Sequence, residues 1–130
     1  MKRLLICDDE PHIVEGLRYL LRGPDREIDV ASNGIEALER IREAKPDVLI
    51  LDVMMPKMGG LEVVAALRES PDTQDVPIII LTAKGQARDA AIAQEIWGTT
   101  VMAKPFEPRR LKDLVNAIME REVCPQQSST

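Results

Sequence analysis

Val48–Gly60 reads VLILDVMMPKMGG, and this stretch decides the fold class. Val48, Leu49, Ile50 and Leu51 form an aliphatic run with no polar alternation, so neither face of the segment is built to meet water. Such a run fits a strand of a parallel sheet that is covered by helices on both sides. The run stops at a single carboxylate, Asp52, and Pro56, Gly59 and Gly60 then turn the chain into a loop. Asp52 therefore stands where a buried strand leaves its sheet. In open α/β sheets that carboxyl edge is where ligands bind. A strand-end aspartate is also an ordinary turn former, so the weight falls on what the rest of the chain brings to the same edge.

Upstream of this stretch, strand and helix signals alternate. Arg3–Cys7 (RLLIC) is a buried-type strand that runs into Asp8-Asp9-Glu10-Pro11. Pro11 suits the first turn of a helix and Asp9 or Asp8 suits its N-cap, with Ile13, Leu17, Leu20 and Leu21 inward and Gly23-Pro24 as the stop. Glu27–Ala31 (EIDVA) is short and alternating, which places it at or near a sheet edge. Asn33 caps a second helix with Ile35, Leu38 and Ile41 inward, ended by Lys45-Pro46.

Downstream the alternation continues. A helix is predicted from about Leu61 to Glu69, then a strand Val76–Leu81 ending at Thr82. A further helix spans roughly Arg88–Ile96, and a fifth strand, about Thr100–Ala103, ends at Lys104-Pro105. The last helix, about Pro108–Arg121, turns Leu111, Leu114, Val115 and Ile118 inward. This predicts one α/β domain over residues 1–121, a doubly wound five-stranded parallel sheet with helices on both faces, followed by a polar tail over 122–130.

Composition narrows the function classes. With 130 residues, 45% hydrophobic and 30% charged, the chain has the make-up of a soluble globular domain. A net charge of −5 and 2% aromatics offer neither the basic face nor the stacking platforms of a direct nucleic-acid binder. No apolar run is long enough to span a bilayer, and Met1-Lys2-Arg3 leads straight into a strand, so no membrane partner is expected. Cys7 lies in a strand and Cys124 in the tail; two such cysteines make no disulfide framework, and a cytoplasmic setting is the natural expectation.

Taken together, the strand ends carry the chemistry. The first strand delivers Asp8 and Asp9, the third Asp52, the fourth Thr82 and the fifth Lys104, all to one edge. Clustered carboxylates resist joint ionisation unless a cation joins them. Hard oxygen ligands in a small site suit Mg²⁺ (or Mn²⁺). Lys104 adds a point charge and Thr82 a hydroxyl for an anion at that cation, and the anion this describes is a phosphoryl group. Taken singly, each group has a plainer reading: a cap cluster for Asp8-Asp9-Glu10, a strand end for Thr82, a solvated cation for Lys104. His12 reads as a surface residue, Cys7 as a small core residue, and Met54, Met55 and Met58 as loop packing.

The motifs CDDE at Cys7–Glu10, LDVMMPKMGG at Leu51–Gly60, ILTA at Ile80–Ala83 and AKPF at Ala103–Phe106 resemble the receiver domain of two-component response regulators, over essentially the whole chain to about Arg121. The resemblance implies a flavodoxin-like receiver fold with strand order 2-1-3-4-5. It implies a phosphorylation-activated switch in which Asp52 takes a phosphoryl group from a histidine kinase or phosphotransfer protein and slowly loses it again. The chain would act as an enzyme only on itself, and its downstream effector is not named by the sequence. Asp8, Asp9, Asp52 and the Met54 backbone carbonyl would hold the metal; Lys104 and Thr82 would meet the phosphoryl oxygens; Met54 and Lys84 would flank the attacking water and tune the lifetime. Many receivers carry Tyr or Phe where this chain has Val101, and Trp97-Gly98 replaces a common Gly-Ala, with Trp97 expected at the edge opposite Asp52. The alternative, an aspartate-nucleophile phosphohydrolase on a similar sheet, would want its nucleophile after the first strand and a substrate cap. A flavodoxin-type cofactor binder would not place Asp8-Asp9-Glu10 against a phosphate.

Overall fold

The computed structural model describes residues 2–53, 55, 57–82, 99–104 and 107–121. Five strands, β1 (Lys2–Cys7), β2 (Arg26–Ala31), β3 (Val48–Asp52), β4 (Ile78–Thr82) and β5 (Thr100–Ala103), pair in parallel in the order β2-β1-β3-β4-β5. Helices α1 (Pro11–Leu21), α2 (Gly34–Glu43) and α3 (Gly60–Glu69) and the C-terminal helix (Pro108–Arg121) cover the sheet. The sheet matches the predicted class and the order that the resemblance implied.

Because successive strand residues point to opposite faces, the aliphatic runs fill two cores at once. Leu5, Cys7, Leu49, Leu51, Ile78 and Ile80 face Ala37 and Ile41 of α2 and Val63, Val64 and Leu67 of α3. Their neighbours Leu4, Ile6, Val48, Ile50, Ile79 and Leu81 face Val14, Leu17 and Leu21 of α1 and Leu111, Val115, Ile118 and Met119 of the C-terminal helix. All five residues of β3 are buried, as are all five of β4, whereas β2 at the sheet edge alternates.

Three local expectations are corrected. Ile35 is 47% exposed, because the buried stripe of α2 runs through Gly34, Ala37 and Ile41, and a strict spacing of three drifts off a 3.6-residue period. β4 begins at Ile78 and not at Val76: the Val76 N–H donates back to the Thr73 carbonyl at 3.1 Å, inside a turn. Arg68 braces that turn, donating to the Gln74 and Val76 carbonyls at 2.9 Å each. The third concerns the cap of α1 and belongs to the site below. The predicted helix Arg88–Ile96, Trp97 and the tail 122–130 lie outside the described residues. Among the described residues no helix is long and apolar enough to cross a membrane.

Candidate functional site

Parallel register carries four strand ends to one edge. Cys7 pairs with Leu51, Asp52 with Leu81 and Thr82 with Ala103, so Asp8, Asp52, Thr82 and Lys104 leave the sheet side by side. Backbone bonds continue the ladder one step further: Asp8 N–H donates to the Ala31 carbonyl at 3.1 Å, Val53 N–H to Leu81 at 3.2 Å and Lys104 N–H to Thr82 at 2.7 Å.

Lys104 is the hub. Its Nζ lies 3.4 Å from Asp52 Oδ1, 3.6 Å from Asp8 Oδ2 and 3.9 Å from Glu10 Oε1. Asp8 is 2% exposed and Asp52 5%, so two carboxylates sit almost out of water around one ammonium. One carboxylate oxygen from each of Asp8, Glu10 and Asp52 lies within 4.8 Å of the other two. Among the described residues, one cation, Lys104, stands against these three carboxylates.

Asp8 shows the consequence. Its Oδ1 accepts the Glu10 N–H at 3.0 Å, while its buried Oδ2 has no hydrogen-bond partner. Burial pushes the Asp8 carboxyl above its ordinary range; the Glu10 N–H and Lys104 pull it down, and the Glu10 and Asp9 charges push it up again. A buried carboxylate oxygen that has Lys104 nearby but no hydrogen bond, clustered with two more carboxylates, fits a small, hard divalent cation such as Mg²⁺.

The turn after β1 explains why Asp8 does not cap α1. The N-cap is Glu10, it makes no side-chain cap bond, and Pro11 opens the helix. Neither Asp9 nor Asp8 fills that place as expected, because Asp8 Oδ1 is already committed to the Glu10 N–H, which keeps the carboxylate facing the cluster.

After β3 the chain must turn sharply. Gly60 N–H donates to the Val53 carbonyl at 2.9 Å, and a Cβ at Gly60 would overlap the Asp52 carbonyl oxygen and sit 2.9 Å from Val53 Cα. Only glycine allows that approach. Lys57 takes a left-handed φ of 67° in the same loop.

Thr82 is buried at the end of β4, on the strand next to Asp52. Asp9 is exposed and lies outside the carboxylate cluster, in which Glu10 stands. Met54 and Lys84 fall outside the described residues. Glu10 is the member that sequence reasoning passed over as part of a cap; its place in the run Asp8-Asp9-Glu10 was the available signal. Val101 is half-buried and packs with the α2–α3 core. His12 is exposed, 3.9 Å from Glu10 at the rim. Cys7 is a core residue, its thiol pushed up to about 12 by burial first and then by the charges of Asp8, Glu36 and Asp52.

Comparison with known proteins agrees with this geometry. The response regulator receiver domain matches residues 4–116. The alkaline phosphatase synthesis transcriptional regulatory protein PhoP of Bacillus subtilis is 39% identical over 128 residues, which cover 98% of this chain and 52% of PhoP. The chain thus spans about half the length of the curated relatives it matches. A receiver domain protein of Clostridium thermocellum superposes with a TM-score of 0.84 at 27% identity, covering 94% of this chain and 97% of the other. The chemotaxis protein CheY4 of Vibrio cholerae gives 0.79 at 30% identity, covering 91% and 98%. With the sheet order, the carboxylate cluster at its edge and these matches in agreement, the chain belongs to the response regulator receiver domain family of two-component signalling.

Proposed function

We propose that the chain is a phosphorylation-activated switch in which Asp52 accepts a phosphoryl group from a histidine kinase or phosphotransfer protein. The observation that carries this is the placement of Asp52: 5% exposed at a strand end, 3.4 Å from Lys104 and within one carboxylate cluster. In the transfer, an Asp52 oxygen forms a bond to phosphorus as the bond from phosphorus to the donor's imidazole nitrogen breaks, and that nitrogen leaves with the bonding pair. Little covalent help is needed beyond alignment and charge neutralisation. Lys104 stays close enough to neutralise phosphoryl oxygens, and the Thr82 hydroxyl donates to one of them. Asp8, Asp9, Asp52 and the Met54 backbone carbonyl would hold Mg²⁺ (or Mn²⁺), which when bound offsets the charge of the carboxylates and the incoming anion. Slow self-catalysed hydrolysis would reset the switch.

The receiver unit is taken as residues 1–121, with 122–130 as a polar tail. An acidic domain of net charge −5 would pass its signal to a protein effector and not to nucleic acid directly, although some relatives are DNA-binding response regulators by name. The test is intact mass after incubation with phosphoramidate or acetyl phosphate. A single phosphoryl adduct is expected with Mg²⁺, none with chelator and none in Asp52→Asn. Equal adduct in Asp52→Asn refutes the assignment.

A further inference from the structure

The segment that follows Asp52 is held at its start by the neighbouring strand β4 and at its end by a backbone bond back to Val53. Val53 N–H donates to the Leu81 carbonyl at 3.2 Å, and Gly60 N–H donates to the Val53 carbonyl at 2.9 Å. Near its α3 end the loop rests on the start of α2. There Gly34 N–H donates to the Met58 carbonyl at 3.1 Å. Beside it Cys7 Sγ lies 3.5 Å from Met55 Sδ and 3.7 Å from the Asn33 carbonyl oxygen. Residues from β1, the head of α2 and the acceptor loop thus meet at one junction.

Gly34 leaves that junction no slack. A Cβ there would overlap the Met58 carbonyl oxygen and sit 2.8 Å from both Met58 Cβ and Cγ. Gly34 is the first residue of α2, where helical backbone suits any residue, so the glycine is required by the approach of Met58 and not by its own dihedrals. A methyl group at this point would have to push Met58 back. The loop cannot take up that push at its far end, where the Asp52 carbonyl and Val53 Cα already fill the space beside Gly60. Through the Gly60 N–H bond to the Val53 carbonyl, a push on the segment before α3 bears on Val53 and on Asp52 beside it.

We propose that Gly34 is a positioning residue for phosphoryl transfer: its close approach to Met58 sets where the chain enters α3 and, through the Gly60–Val53 bond, the placement of Asp52. This rests on the phosphoryl-acceptor reading above. Restoring ordinary contact between a methyl at 34 and the Met58 oxygen takes a shift approaching about 1 Å, and misplacement on that scale costs on the order of 100-fold in rate.

The experiment compares the native chain with Gly34→Ala and with Ala37→Gly, a change in the same helix that weakens α2 and adds no atom against the loop. Three quantities are read: the rate of phosphorylation by phosphoramidate, Mg²⁺ affinity by calorimetry, and thermal stability. Gly34→Ala should fold cooperatively, take the phosphoryl group at least 10-fold more slowly and bind Mg²⁺ at least several-fold more weakly. Ala37→Gly should keep both properties at comparable or greater loss of stability. Native rate and affinity in Gly34→Ala, or equal losses in the two variants, overturn the inference. Should Gly34→Ala not fold, the native chain decides: the Gly34 amide resonance should move during Mg²⁺ titration with the same midpoint as that of Val53, while Gly23 stays still. A Gly34 resonance that does not move while Val53 shifts overturns it. A native chain that neither binds Mg²⁺ nor forms an adduct would instead sink the acceptor reading beneath it.

Discussion

Replacing Asp8 by asparagine removes one buried charge while keeping an oxygen for the Glu10 N–H. At an effective dielectric constant of about 20, Lys104 at 3.6 Å attracts the Asp8 carboxylate by about 4.6 kcal/mol, while Asp52 and Glu10, with oxygens within 4.8 Å, each repel it by about 3.5 kcal/mol. Glu10 is half exposed, so water screens much of its share. Attraction and repulsion then nearly cancel, and the desolvation of a carboxylate that is 2% exposed is left uncompensated. The titration agrees in sign. Burial raises the Asp8 carboxyl in the folded chain, so the stability linked to that proton is full below the unfolded group's titration and is lost as pH rises through the folded one. At neutral pH, ionised Asp8 counts against the fold. Asp8→Asn in chelator should therefore be more stable by about 1–2 kcal/mol, the cost of an imperfectly paired buried polar group, or roughly 4–8 °C in melting temperature for a domain of this size. Adding Mg²⁺ should reverse the order of benefit: at ten times its dissociation constant, binding stabilises the native chain by about 1.4 kcal/mol, and the variant should gain much less. Melting followed by circular dichroism at pH 7, with chelator and with Mg²⁺, measures both. An Asp8→Asn protein that melts below the native chain in chelator, or gains as much from Mg²⁺, refutes the reasoning.

Two further outcomes are expected. Asn33 caps α2 through its Oδ1, which accepts the Glu36 N–H at 2.9 Å, so Asn33→Ala should cost about 1 kcal/mol, read as a lower denaturation midpoint at unchanged slope. If Met54 and Lys84 flank the attacking water as the family resemblance implies, a thioether that cannot orient that water and an ammonium that cannot accept its proton slow the reset, and the double variant Met54→Asn/Lys84→Glu should shed its phosphoryl group faster, about tenfold for each 1.4 kcal/mol of barrier removed. That is measured as decay in Mg²⁺ after donor removal, and unchanged decay would show that these positions do not set the lifetime.

The parts that could be read from sequence are those in which one residue type has one physical use. Aliphatic runs at Leu4–Ile6, Val48–Leu51 and Ile78–Leu81 have no stable home except a sheet buried on both faces, so the class followed directly. Asp8, Asp52 and Lys104 converge because parallel strands all deliver their ends to one edge. What escaped depends on neighbours distant in the chain. Glu10 looks like a cap residue until Lys104 is brought across the sheet to meet it. Gly34 looks like an ordinary helix start until Met58 is packed on it. Ile35 misled because spacing by three mimics a helical face over two steps but rotates away from the core. Val76 belongs by composition to a strand, yet its N–H is used in a turn.

The outer strand β2 has a consequence for crowded solution. A parallel sheet ends in a row of backbone groups that another copy could extend, which is how well-folded domains stick to one another. Here that border carries Glu27 and Asp29, both exposed, with Glu27 tied to Arg3 of β1 at 3.1 Å. Two copies approaching border to border would bring acidic side chains together within a chain already at −5. The acidic side chains that keep β2 wet thus also count against strand-to-strand pairing of two copies along this border.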